Sequence, residues 1–180
     1  HGTEVAKGAA AVILIEEKLA TLLLAVREGR AVFLNIQRAL DYLLSCSTAT
    51  VLTALLATLV GFPPLLLPLQ ILYLNLLMHT FPALGLTLEP AEARVMQRPP
   101  VPRSTALLPP LRLASVIWHG LIISLVTVAI GSWGLRHGGI EHARSLTFAT
   151  LATALLLHVF CDRSPRMFRG WWAWRNRTLL

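Results

Sequence analysis

A long stretch without charged residues constrains this chain more than any other feature of its sequence. No Asp, Glu, Lys or Arg occurs over residues 42–88, and a helix rising about 1.5 Å per residue would exceed one bilayer crossing over that length. The segment Gly61-Phe-Pro-Pro64 divides the stretch, because two prolines remove backbone donors and glycine favours a turn. The stretch therefore predicts two membrane spans, at residues 42–60 and 65–88.

Two later runs are also free of charge and close to spanning length, at residues 113–135 and 145–161. A short outer loop is expected between them. For the shorter run, 145–161, a buried helix of a soluble core is the alternative. The sequence thus predicts an all-α, multi-pass membrane protein, with four transmembrane helices in a transmembrane domain at residues 31–162.

The basic residues predict how the spans are oriented. Of the sixteen Lys and Arg residues, five precede the first span, four lie between the second and third, and five follow the fourth. Only Arg136 and Arg144 lie on the other side, so the positive-inside tendency places both termini in the cytoplasm. The net charge of +7 then reflects topology and contact with the lipid bilayer, and nucleic acid is not expected as a partner. Residues 163–180 form a basic, Trp-rich tail suited to the membrane interface.

The amino-terminal residues differ from the rest. Residues 9–15 are a short apolar, β-branched run, which predicts a buried strand. From Lys18 the pattern becomes helical, with apolar residues at three- and four-residue spacing and no proline before Pro63. We therefore expect one continuous helix to lead from a soluble region into the membrane.

Several motifs carry a family resemblance over nearly the whole chain. They are Gly2-Thr-Glu-Val-Ala-Lys7, Pro68-Leu-Gln-Ile-Leu-Tyr-Leu-Asn75-Leu, Phe81-Pro-Ala-Leu, Met96-Gln-Arg-Pro-Pro100 and His158-Val-Phe. With them the chain resembles the C-terminal membrane half of a P-type cation-transporting ATPase of the calcium and sodium-potassium pump group, in its bacterial type. The resemblance covers the end of the phosphorylation domain and transmembrane helices five to eight.

The resemblance implies that other domains of a pump carry out the chemistry of ATP. Residues 1–30 correspond to the tail of an α/β phosphorylation domain and its stalk. The aspartyl nucleophile, ATP and Mg²⁺ belong to the actuator, nucleotide and phosphorylation domains of a full-length protein, so no catalytic residue and no bound cofactor are expected in this piece. The implied partners are those domains and a transported cation, and the implied location is the bacterial plasma membrane.

The family's intramembrane ion ligands can be transferred by position. The fifth-helix Asn and Glu fall at Ser47 and Thr50, and the sixth-helix Asn is kept as Asn75. The sixth-helix Thr and Asp positions hold Met78 and His79, and a helix-eight position holds Leu155. Every acidic group is lost, whereas a divalent ion in a low dielectric needs compensating negative charge. Neutral oxygens would better suit a monovalent ion or a polar, uncharged cargo.

The sequence allows three interpretations of His79. It is a neutral hydrogen-bonding group between helices, or it carries or gates protons, or with Met78 and Cys46 it forms a soft-ligand metal site. Adjacent helical positions point about 100° apart, so Met78 and His79 share a ligand only if the helix is locally unwound. Pro82 favours such unwinding, because it cannot donate to the carbonyl of Met78.

Two functions follow as hypotheses. The first is the membrane half of an ATP-driven pump, which forms the ion pathway with an atypical site that lacks carboxylates. The full-length protein would then be an ion-translocating ATP hydrolase, whereas this piece alone would not be an enzyme. The alternative is a degenerate, non-transporting module with a regulatory or scaffold role. The missing carboxylates motivate this alternative.

Overall fold

The structure is a computed structural model that describes residues 3–10, 13, 19–90, 95–97, 99–100 and 107–163. Over these residues all regular secondary structure is helical, which confirms the all-α fold. The predicted tail at 164–180 lies outside the described residues. The helices are α1 (Glu4–Ala9), α2 (Leu19–Leu59), α3 (Pro68–Tyr73), a π-helix (Leu74–His79), α4 (Thr80–Thr87), a 3-10 helix (Val95–Gln97) and α5 (Pro110–Arg163).

The chain divides into two compact units, of which the smaller holds residues 1–34 and 90–100. Within this unit Arg30 Nη1 donates to the carbonyl of Val95, at 3.4 Å. The strand expected at residues 9–15 is not found at the described residues of that run. Ala9 is the last residue of α1, and Ile13 is exposed. A strand needs a hydrogen-bonded neighbour, and no described residue provides one; the remainder of that run lies outside the described residues.

The helices suited to a bilayer can be counted by length and composition. Within the described ranges, three are long and apolar enough to cross a membrane: Ala20–Leu59, Pro68–Thr87 and Pro110–Asp162. The second combines α3, the π-helix and α4. The third contains both of the charge-free runs that were predicted as the third and fourth spans.

The break predicted after the first span lies at the end of α2, where the chain forms a Schellman motif. Gly61 has a φ of 79°, which favours glycine. Its N–H donates to Thr58 O at 3.0 Å, and the N–H of Phe62 donates to Ala57 O at 2.9 Å. These two bonds satisfy the last helical carbonyls, and Phe62 packs against the cluster that contains Ala57.

Helix α5 folds back on itself at Gly139, whose φ of 74° and ψ of −172° are not helical. A Cβ atom at Gly134 would lie 3.1 Å from the Cα atom of Ala143, whereas nine positions of straight helix would span about 13 Å. The arms 110–138 and 140–163 are therefore antiparallel. The loop expected between residues 135 and 145 is helical except at Gly139, because one residue in the left-handed region suffices to reverse the chain.

The larger unit, residues 35–89 and 101–180, has its core where α2, the π-helix and the second arm of α5 meet. Tyr42, Cys46, Leu74 and Leu155 are fully buried in this cluster. The first arm approaches α2 closely at Gly120, where an added Cβ would lie 3.1 Å from the backbone nitrogen of Ala49. This packing brings buried polar groups from several helices close together.

Candidate functional site

The π-helix is the main irregularity in the second apolar helix. Pro82 has no N–H, so the carbonyl of Met78 has no donor four residues later. The helix is widened over Leu74–His79, and Thr80 Oγ1 donates across the wide turn to Asn75 O at 3.3 Å. Single π turns within α-helices occur frequently at functional sites. The local loosening that the sequence predicts before Pro82 is thus present as a π-helix.

Tyr42 satisfies the carbonyl that Pro82 leaves free. Its hydroxyl lies 2.8 Å from Met78 O and 3.4 Å from Leu155 O. A hydroxyl has one proton to donate, so the shorter contact to Met78 is the principal bond. The Tyr42 ring also stacks on His158, with centroids 6.0 Å apart. One fully buried side chain therefore connects α2, the π-helix and the second arm of α5.

His79 is the last residue of the π-helix and is 4% exposed. Its Nε2 atom is buried and has no hydrogen-bond partner among the described residues. An unsatisfied buried polar atom costs about 1–3 kcal/mol, and polar groups within membrane spans are usually functional. His79 is therefore available to accept or donate a further hydrogen bond.

The other predicted ligands lie in different environments. Thr50 is buried, and its Oγ1 donates to Cys46 O at 3.0 Å, which leaves the oxygen lone pairs available. Ser47 and Asn75 are exposed. Three-residue spacing puts Ser47 and Thr50 near the same face, but the packing buries only Thr50. Within the described part of the chain, no hydrogen bond joins the side chains of Ser47, Thr50, Asn75 and His79.

The soft-ligand hypothesis involves Cys46, Met78 and His79. Cys46 is fully buried, and Met78 packs against the cluster that contains it. No group of three or more His, Cys, Asp or Glu side chains among the described residues could hold a metal ion. Such a group does not include the thioether of methionine, so the site with Met78 stays a prediction. Leu155, at the helix-eight ligand position, is fully buried in the apolar cluster.

A second polar cluster was missed by reasoning from the sequence. Arg112 Nη1 lies 2.7 Å from Asp41 Oδ2, and His158 Nε2 lies 3.3 Å from Asp162 Oδ2. For two of these residues the sequence itself holds an indication of their position. Asp41 immediately precedes the first charge-free run, and Asp162 immediately follows the fourth. Charged residues at such positions indicate span boundaries, and the partial burial of these two cannot be read from the sequence.

Apolar helices of spanning length that enclose buried polar side chains define a helical integral membrane protein with a polar site in its interior. Residues 63–180 match the family model described as "Cation transporting ATPase, C-terminus". This match covers more than half of the chain, and the chain belongs to that family. It is the C-terminal membrane part of a P-type cation-transporting ATPase.

Similar proteins agree with this assignment. The chain is 33% identical to a calcium-transporting ATPase of Bacillus subtilis, over 91% of the chain and 18% of that protein. It is 32% identical to calcium-transporting ATPase 1 of Bacillus cereus, over 91% of the chain and 20% of the relative. It is 31% identical to a plasma membrane-type calcium-transporting ATPase of Arabidopsis thaliana, over 94% of the chain and 17% of the relative. The chain spans about a fifth of the length of these relatives.

Proposed function

We propose that the complete protein is an ATP-driven cation pump and that this chain provides the ion pathway, with Ser47, Thr50, Asn75, Met78 and His79 at its centre. The observation that carries the proposal is the buried, unsatisfied Nε2 atom of His79 at the end of the π-helix. The widened turn and the Pro82 break make the backbone there adjustable. A helix whose backbone can adopt two arrangements suits a site with alternating access.

The transported ion is proposed to carry less charge than calcium. The relatives are named calcium-transporting ATPases, but the five proposed pathway residues include no carboxylate. A divalent cation in a low-dielectric site needs negative ligands to offset its lost hydration. A monovalent cation is held adequately by hydroxyl, amide and carbonyl oxygens, which Ser47, Thr50 and Asn75 provide.

The exposure of Ser47 and Asn75 supports a pathway that other helices complete. Both lie in helices suited to a bilayer, and both are exposed. Polar groups facing hydrocarbon are costly, whereas polar groups facing a water-filled or ion-filled path are not. We propose that further helices of the complete pump cover this surface.

In the complete protein, the chemistry of ATP takes place outside this chain. ATP and Mg²⁺ act on its actuator, nucleotide and phosphorylation domains, and the energy released there changes access to the intramembrane site. Both termini of this chain are cytoplasmic, as the distribution of Lys and Arg favours. The membrane is the bacterial plasma membrane.

The test is the ATPase activity of the complete protein, titrated separately with Na⁺, K⁺ and Ca²⁺. Replacing Asn75 by Leu or His79 by Gln is expected to raise the half-saturating concentration of the activating cation about tenfold or more, which corresponds to about 1.4 kcal/mol of lost binding. His137→Gln is the matched control, because His137 is exposed and its Nδ1 contacts Trp133 O of its own helix. Unchanged titrations in both site variants would contradict this assignment.

A degenerate, non-transporting module remains the second candidate. The observation that favours it is the absence of acidic side chains at the pathway positions. A regulatory or scaffold protein would keep the helical packing and lose the chemistry. Cation-dependent formation of a phosphoenzyme by the complete protein excludes this candidate, and its absence with every cation tested favours it.

A further inference from the structure

A small cavity lies between α2 and the two arms of α5. Its volume is about 70 Å³, which is enough for water, since one water needs about 10–15 Å³ of such space. It includes none of the residues proposed for the ion pathway. Its polar lining consists of Asp41, Ser45, Arg112, Ser115, His119 and Asp162.

Three buried polar atoms in and beside this cavity have no hydrogen-bond partner among the described residues: Asp41 Oδ1, Asp162 Oδ2 and His158 Nε2. Water in the cavity can reach the two carboxylates that line it. His158 lies behind Asp162 and is 5% exposed. Its Nε2 is 3.3 Å from Asp162 Oδ2 but is not aligned for a hydrogen bond. A single proton could therefore join these two unpartnered atoms, Asp162 Oδ2 and His158 Nε2.

Among the described residues around Asp162, acidic and basic side chains are not equal in number. From α2, Asp41 faces the same cavity, and Tyr42 and Cys46 lie behind it in the core. From the first arm of α5 come Arg112 and His119. The Arg112 guanidinium is already held by Asp41 at 2.7 Å.

On its own arm, Asp162 adjoins His158 and follows Cys161. Among the described residues, the cluster holds two carboxylates and one guanidinium, so its acidic side chains outnumber its Lys and Arg side chains by one. Like charges that share a buried site favour protonation of one of them.

We propose that Asp162 and His158 form a proton-binding site that exchanges protons with water in this cavity. A hydronium ion in the cavity gives up one proton and becomes water. The proton bonds to Asp162 Oδ2, forming an O–H group that His158 Nε2, 3.3 Å away, can accept from, and nothing is oxidised or reduced. Uptake neutralises one of the two carboxylates and gives a partner to two of the three unpartnered atoms, Asp162 Oδ2 and His158 Nε2. The site is independent of the pump function proposed above.

The measurement is infrared difference spectroscopy of the full protein in lipid nanodiscs, titrated from acid to alkaline pH. A protonated carboxylic acid has a carbonyl stretch that a carboxylate lacks. We expect such a band at neutral pH, and we expect Asp162→Asn to remove it. Glu141→Gln is the matched control, because the Glu141 side chain is 81% exposed and pairs with Arg144 on its own arm; this variant should keep the band.

A second variant keeps the test decisive if Asp162→Asn does not fold. Asp41→Asn removes a like charge near Asp162 and releases Arg112 to face it, and both changes weaken proton binding. The band should remain, but its midpoint should move to lower pH by about one unit, a tenfold loss of proton affinity. Absence of the band from the unmodified protein, its persistence in Asp162→Asn, or an unchanged midpoint in Asp41→Asn would overturn the proposal.

Discussion

The Tyr42 hydroxyl donates a 2.8 Å hydrogen bond to the backbone carbonyl of Met78, the carbonyl that Pro82 leaves without a helical donor. The two residues are separated by 36 positions in the chain, so the bond connects α2 directly to the π-helix. The side chain of one helix thereby replaces a backbone bond missing from another. A carbonyl within the loosened turn is thus satisfied by a residue outside it.

Replacing Tyr42 by Phe should destabilise the protein by about 1–2 kcal/mol, because it removes the donor and leaves the Met78 carbonyl buried and unsatisfied. The measurement is the free energy of unfolding in mixed micelles. Tyr73→Phe is the control, since Tyr73 is 41% exposed and no hydrogen bond of its hydroxyl is found within the described ranges. Equal losses in the two variants would argue against a special role for Tyr42.

Replacing Pro82 by Ala restores an N–H that can reach the Met78 carbonyl. The Tyr42→Phe substitution should then cost about 0.5–1 kcal/mol less in the Pro82→Ala background than in the unmodified protein. A double-mutant cycle of unfolding free energies measures this coupling. If the cost is the same in both backgrounds, Tyr42 and Pro82 do not act on the same carbonyl.

Replacing Gly120 by Ala should cost about 1–3 kcal/mol of stability. The new Cβ would lie 2.9 Å from Thr48 Cβ and 3.1 Å from the Ala49 nitrogen, so part of the obstruction is backbone that cannot move alone. Gly85→Ala is the control, because an added Cβ there meets nothing within 4 Å. This control should leave stability unchanged or raise it slightly, as expected for Gly→Ala in a helix. The measurement is the free energy of unfolding of both variants under the same conditions.

Replacing Asn35 by Asp should also destabilise the protein by about 1–3 kcal/mol. Asn35 Nδ2 donates to Thr87 O at 3.3 Å and to Glu89 O at 2.6 Å, which holds the end of α4. A carboxylate has no proton to donate there. Gln70→Glu is the matched control, because Gln70 Oε1 accepts from the N–H of Leu67 at 2.9 Å and a carboxylate can still accept. Thermal unfolding of both variants near neutral pH should separate them.

Some features of the candidate site were predictable and others were not. The loosening before Pro82 follows from one missing donor, and it is visible in the sequence. The different burial of Ser47 and Thr50 was not predictable, because residues three apart lie near the same helix face and small rotations decide which is covered. The Asp41–Arg112 ion pair joins residues 71 positions apart, and no local pattern indicates such a contact.

The sequence by itself determined the all-α fold, the apolar helices of spanning length and the turn at Gly61. These depend on the solvation of local segments and on the backbone preferences of single residues, which can be read along the chain. Only the tertiary structure decided which polar groups contact one another, including the Tyr42 hydroxyl with the Met78 carbonyl and Asp162 with His158. Such contacts depend on the rotation and approach of helices far apart in sequence, and periodicity does not encode these to the accuracy that a hydrogen bond requires.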